Sequence, residues 1–283
     1  MSEYFVPGLW PKRRLNLICG ASGAGKTRWI LPQLIALHRA GASVLYTTCD
    51  RTIEDAQETL EEMGYPGDAL PMVSFMNSGD DIQFSVDGLY TLTEGHNCQI
   101  LFVETIAALV ADMNKVKDVL EFSRRINRYM RLTSVSVWGT SWIPKTREGD
   151  SFTRTRDNVM GSAAWPGICG TIVYIESPNG EEQPERDVNI LLRNAPSRVQ
   201  HHRFNDKGIL EVYEKPTLDS LLATSSGKLT WDDLKGWGEQ CGSSGAALKR
   251  WKNDQINLGK LRFLAKGEYM VASTGASGLF KGL

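Results

Sequence analysis

The segment Gly20-Ala21-Ser22-Gly23-Ala24-Gly25-Lys26-Thr27 constrains this chain more than any other. It has the form Gly-x-x-x-x-Gly-Lys-Thr, follows an apolar run at 15–19 and leads into helical spacing over 27–39, closed by Gly41. Each residue type meets a physical need. Glycines let the backbone turn so that successive N–H groups face one point, and the start of a helix adds a partial positive charge there. Lys26 brings a mobile cation and Thr27 a hydroxyl suited to a hard metal ion. The pattern therefore predicts a strand, a phosphate-binding loop and a helix, with Gly20 to Thr27 and Arg28 as the nucleotide contacts. The ligand it implies is ATP with magnesium.

The rest of the chain extends that unit. Strand-like runs at 43–48, 71–75, 100–103 and 135–140 alternate with helical spacing at 52–63 and 115–132. Alternation of this kind predicts an α/β fold, a mostly parallel sheet with helices on both faces. Residues 145–158 are polar and charged and read as a loop. Runs at 171–176, 187–193, 201–204 and 210–214, joined by turns, read as an antiparallel extension of the sheet. The expected boundaries are 1–216 for this domain, 217–228 for a Ser/Thr/Gly-rich linker and 229–283 for a small module with a flexible tail.

Composition narrows the class. Lys plus Arg number 32 against 33 Asp plus Glu in 283 residues, so a globally basic nucleic-acid binder is not indicated, although a local basic patch is compatible. Cys19, Cys49, Cys98, Cys169 and Cys241 lack Cys-x-x-Cys spacing and read as reduced thiols, neither a disulfide set nor a zinc site. No apolar run reaches the length of a membrane span, and the N-terminus has no signal core. A cytoplasmic protein with no membrane partner is the expectation.

A triphosphatase needs one carboxylate to hold magnesium and another to orient the attacking water. Glu104, at the end of the apolar run Gln99-Ile-Leu-Phe-Val, is the candidate for the first; the competing reading is a strand-end acid facing solvent. Asp50, ending Val44-Leu-Tyr-Thr-Thr-Cys, is the candidate for the second; the competing reading is an acid ahead of a helix N-terminus.

Taken together, PGLWPKRRLNLICGASGAGKT, VLYTTCD, QILFVETIAALV, VSVWGTSW and NVMGSAAWPGICGTIVYIE resemble the RecA-type ATPase core of plasmid and phage RepA-like hexameric helicases, across roughly residues 6–214. The resemblance implies a hexameric ring, DNA-stimulated ATP hydrolysis and a phage- or plasmid-encoded protein in a bacterial cytoplasm. In that family the water-orienting acid is Glu and the metal acid is Asp; these positions fall on Asp50 and Glu104, so each holds the other acid. A polar residue that senses the terminal phosphate falls on Thr140 or Ser141. The loop bearing Lys145, Arg147, Arg154 and Arg156 is implied to face a central channel carrying single-stranded DNA; Glu148, Asp150 and Asp157 dilute its charge, and a merely solvated loop is the alternative. Arg193 and Arg198 are the candidates for an arginine reaching the neighbouring subunit's nucleotide, against local surface pairing. Trp142 and Trp165 are candidates for base stacking.

The C-terminal segment reads as helix, turn, helix and hairpin, an order that resembles winged helices following replication ATPases. Lys249, Arg250 and Lys252, with Lys260, Arg262 and Lys266, are its candidate contacts to duplex DNA; a protein-docking module, for instance for other replication proteins, is the alternative. The function that accounts for most of these features is a DNA-dependent ATPase in a replication-helicase or helicase-loading role. A slowly hydrolysing, nucleotide-switched binding module is the second reading, and a small-molecule kinase the third.

Overall fold

The computed structural model describes all residues except 1–3, 7–8, 76–84, 94–96, 143–161, 163, 179–181, 194, 242, 266 and 273–283. The chain divides into two units, Met1–Tyr213 and Glu214–Leu283.

In the larger unit a short ribbon, β1 (Tyr4–Val6) and β2 (Trp10–Pro11), precedes the main sheet. The sheet is built from β3 (Leu15–Gly20), β4 (Val44–Thr48), β5 (Met72–Ser74), β6 (Ile100–Glu104), β7 (Ser136–Trp142), β8 (Cys169–Glu176), β9 (Glu185–Leu192), β10 (Arg198–Phe204) and β11 (Leu210–Val212). Its order is β11-β10-β9-β8-β3-β7-β6-β4-β5. The strands from β8 to β5 run parallel, and β9, β10 and β11 are antiparallel additions. The run at 171–176 is not part of the antiparallel extension expected from the sequence: β8 pairs with β3 in parallel, Ile18 opposite Val173, and carries the antiparallel β9 on its other edge. Its unbroken burial over the first seven residues, on both faces, is what a central parallel strand requires.

Helices α1 (Lys26–Arg39) and α2 (Ile53–Glu62) cover one face, and α3 (Val86–Thr93) and α4 (Val116–Thr133) cover the other. Strand alternation feeds both cores. Ile100 and Phe102 pack with Ile30, Leu34 and Leu60, while Leu101 and Val103 pack with Val119, Phe122 and Ile126. Each such side chain contributes about 1.5–3 kcal/mol when fully buried. The short helix α5 (Trp165–Ile168) inserts Trp165 into the second of these cores. Trp165 is fully buried, and its indole N–H donates to the Met113 carbonyl at 3.2 Å, so it is a core residue and not a base-stacking one.

The smaller unit runs α6 (Leu218–Thr224), β12 (Lys228–Thr230), α7 (Trp231–Gln240), α8 (Gly245–Asn257), β13 (Leu261–Ala265) and β14 (Glu268–Val271). Its antiparallel sheet has the order β12-β14-β13. Thr217, Thr230 and Ser244 cap the three helices through their hydroxyls. Leu222, Leu234, Leu261 and Tyr269 form its core, with Trp231, Trp237 and Trp251 against them. The stretch read as a linker, 217–228, therefore holds a capped helix that packs Leu222 into this core.

Candidate nucleotide site

The phosphate loop leaves β3 at Gly20, where the backbone approaches β8 so closely that a Cβ would lie 2.8 Å from the Ile175 carbonyl oxygen. Gly23 and Gly25 have φ of 76° and 92°, which other residues adopt only with strain. Gly25 is the N-cap of α1, and no side chain caps that helix. The N–H groups of its first turn are thus directed to whatever sits in front of the loop, the arrangement that suits an anion.

Distant strands hold the loop in shape. A Cβ on Gly25 would meet Phe204 Cζ at 2.7 Å and Leu210 Cδ1 at 2.9 Å. Phe204 lies under the Arg186 guanidinium, 4.9 Å from its ring centroid, and Arg186 Nε donates to the Ala24 carbonyl at 3.2 Å. The antiparallel extension therefore clamps the phosphate loop from outside.

Lys26 Nζ donates to the carbonyls of Gly20 at 3.0 Å and Ala21 at 2.8 Å. Burial lowers the pKa of its amine from the ordinary value, against the pull of the Glu104 carboxylate. The Cys19 thiol beneath it is pushed up by burial to about 12 and stays neutral. Across the cleft, the Thr27 hydroxyl donates to Glu104 Oε1. Glu104 Oε2 accepts from the Tyr46 hydroxyl and from Arg51 Nη2, the latter at 2.6 Å. Thr48 Oγ1 donates to Asp50 at 3.0 Å, and the Asp50 side chain is exposed on the rim. Thr105 Oγ1 donates to the Thr140 carbonyl at 2.8 Å and ties the ends of β6 and β7 together.

One cleft of about 600 Å³ has Ser22, Gly23, Gly25, Lys26, Thr27, Arg28, Asp50, Glu104 and Thr140 on its wall. The volume is adequate for a nucleotide. A hydroxyl and a carboxylate oxygen meeting beside a lysine and an uncapped helix start form a donor set that fits magnesium and a triphosphate. Of the two β7 candidates, Thr140 reaches the cleft, whereas Ser141 is buried and its hydroxyl donates to the Trp142 carbonyl at 3.3 Å. Trp142 is 60% exposed and also lines the cleft.

Arg193 and Arg198 lie elsewhere. Gly20 is level with Ile175 and Val188, whereas Asn16 is level with Thr171 and Leu192. Arg193 follows Leu192, and Arg198 starts β10 opposite Ile190. Arg193 is thus displaced from the loop by four residues or more, about 13 Å along the strand at 3.3 Å per residue. Neither arginine lines its own chain's cleft. Lys145, Arg147, Arg154 and Arg156 fall outside the described residues. In the smaller unit Lys249 and Arg250 are exposed on α8, but Lys252 Nζ rests 5.1 Å from the Trp231 ring and 5.4 Å from the Tyr269 ring.

The site also contains residues that sequence reasoning passed over, namely Tyr46, Arg51, Thr59, Thr105, Phe204 and Gly208. Arg51 offered one signal, a basic residue directly after the strand-end acid Asp50. Phe204 offered none, because its place depends on the pairing of β10 and β11.

No protein-family model matches the sequence, and a sequence search of curated proteins finds no match. Solved structures do match in shape. One is an ATPase domain, at TM-score 0.58 and 15% identity over 72% of this chain and 86% of that one. Another is a DnaB-like replicative helicase, described with its interactions with primase, at TM-score 0.57 and 14% identity over 70% of this chain and 57% of that one. A third is the KaiC-like protein PH0186 from Pyrococcus horikoshii OT3, at TM-score 0.55 and 16% identity over 75% of this chain and 95% of that one. At these identities the likeness establishes the fold, a RecA-like α/β domain with an antiparallel extension.

Proposed function

We propose that the larger unit binds and hydrolyses ATP with magnesium, and that the chain works as a ring motor on single-stranded DNA in a replication-helicase or helicase-loading role. The observation that carries this reading is the meeting of the Thr27 hydroxyl and Glu104 Oε1 in the cleft that also holds Lys26. Magnesium, when bound there, supplies charge neutralisation for the phosphates. Lys26 exchanges the Gly20 and Ala21 carbonyls for phosphate oxygens. Asp50, exposed at the rim, orients the attacking water, and Thr140 faces the terminal phosphate.

Two arginines that lie outside their own cleft support a ring. Charge spreading over the outgoing phosphate is commonly met by an arginine from a neighbouring subunit. Arg193 lies four residues or more down the strands from its own loop and Arg198 lies three strands away on β10, so they suit a head-to-tail contact with the next subunit's cleft. The resemblance to RepA-like hexameric helicases supports six subunits, with the 145–156 loops gathered around DNA. The helix, strand, helix, helix and hairpin order of the smaller unit supports a winged helix, with Lys249 and Arg250 toward duplex DNA and replication proteins as further partners. Lys252 contributes less, since its charge lies over two rings.

One observation favours a second reading, a slowly hydrolysing nucleotide switch. Glu104 already carries a counter-charge from Arg51, and Asp50 is shorter than the glutamate of the resembled family. Phosphate release with and without single-stranded DNA separates the two. Stimulation of tenfold or more supports the motor, whereas tight binding with DNA-indifferent turnover supports the switch. Mixing Lys26→Ala chains with an Arg193→Ala, Arg198→Ala double variant tests the ring. Each alone should be inactive and the mixture should regain activity; full activity in a strictly monomeric protein would overturn the ring.

A further inference from the structure

Glu104 is held from both ends of its carboxylate. Oε1 faces Thr27, and Oε2 accepts from Tyr46 and Arg51. Arg51 is itself fixed, with Nη2 2.5 Å from the Tyr46 hydroxyl and Nη1 donating to Thr59 Oγ1 at 3.0 Å. The side chains of Arg51 and Glu104 are 21% and 12% exposed, so this pair is largely withdrawn from solvent. Attraction between such charges is screened far less than at a surface. An arginine stays protonated in proteins, so Arg51 is a permanent cation beside Glu104.

The geometry has a consequence for the metal oxygen. A glutamate has one more rotatable bond than an aspartate, so its carboxylate has more positions to sample. Binding Oε2 to two donors, one of them a planar guanidinium, removes that freedom. The oxygen left toward Thr27 is Oε1. We propose that Arg51, assisted by Tyr46, is the positioning residue that fixes Glu104 for magnesium, and that this brace is what allows a glutamate to stand where the resembled family has an aspartate. The proposal rests on the reading of the cleft as a magnesium–ATP site. Partners of this kind, bound to a metal ligand but not to the metal, typically change metal affinity by about 10–100-fold when removed.

The test uses the full chain and a fluorescent ATP analogue, with affinity measured in EDTA and across a magnesium titration. Arg51→Met should raise the magnesium concentration for half-maximal binding by about 10–100-fold, a larger loss than any change in the affinity in EDTA. Arg51→Lys, which keeps the charge without the planar fork, should recover part of that shift, and Tyr46→Phe should give a smaller shift of the same sign. A merely structural role would not separate the two conditions. If Arg51→Met weakens binding in EDTA by the same factor as in magnesium, Arg51 touches the phosphates and the proposal fails. An unmoved magnesium requirement in folded Arg51→Met also overturns it. Should Arg51→Met not fold, Tyr46→Phe decides, and an unchanged magnesium midpoint there overturns the proposal. A wild-type chain that binds no nucleotide in either condition overturns the parent reading, and the proposal with it.

Discussion

The two sides of the cleft are built by different means. The phosphate loop is local: eight consecutive residues, a strand before and a helix after, with backbone N–H groups as the binding elements. The acid side is assembled from afar: Thr27 meets Glu104 across 77 positions, Tyr46 meets it across 58 and Arg51 across 53. A local device can be read from a short pattern and is broken by a change in backbone freedom. An assembled device depends on strand register and side-chain reach, and is broken by a change in one functional group.

The comparison predicts a separation of effects. The largest belongs to the acid side. Asp50→Ala should lower turnover by about 10²–10⁴-fold, the range for loss of a general base, while leaving magnesium-dependent binding near the wild-type value. Unchanged phosphate release would make Asp50 a strand-end acid and no more. On the loop side, Gly25→Ala places a methyl into Phe204 and Leu210 at a φ of 92°. It should destabilise the larger unit by about 1–3 kcal/mol and lower nucleotide affinity together. Normal melting and normal binding in that variant would contradict the clamp described for β10 and β11.

Two smaller effects sharpen the comparison. Ending the chain after Tyr213, at the boundary between the units, should leave the melting of the larger unit and its nucleotide affinity unchanged; an insoluble product would show that the smaller unit supports it. The smallest effect concerns His202. It is buried on β10 with its ring nearly perpendicular to that of Trp29, and burial lowers its pKa. The unfolded chain then binds the proton more readily, so stability is full above the ordinary imidazole value of about 6.5 and falls as pH drops below it. His202→Phe should flatten that part of the stability profile between pH 7 and pH 5, measured by urea melts, and an unchanged slope would count against it.

How much of this was legible in the sequence follows from the same distinction. Strands β3, β4 and β6 are largely apolar runs and the larger helices carry their apolar residues at helical spacing, so most of the parallel half could be read directly. The direction of β8 could not, because an apolar run has the same pattern whether its neighbour is parallel or antiparallel. Glu104 and Asp50 were visible as acids at strand ends. Arg51 shows only as a basic residue after a strand-end acid, because nothing in the order Asp50-Arg51-Thr52 says that its guanidinium turns back onto β6. Thr140 and Ser141 were indistinguishable until the β7 register placed Ser141 level with Cys19 and Thr140 level with Ile18. Trp165 follows a polar segment, where a tryptophan looks available for stacking, whereas α5 turns it into the core.

The central claim is that this cleft holds magnesium and a triphosphate through the loop and Glu104. Calorimetric titration of the folded full chain with a slowly hydrolysed ATP analogue, in wild type and in Lys26→Ala, tests it most directly. The account predicts saturable binding in wild type that weakens by about 10–150-fold in the variant, the equivalent of one charge-assisted contact of about 1.5–3 kcal/mol. Equal affinity in wild type and in a folded Lys26→Ala chain would contradict it.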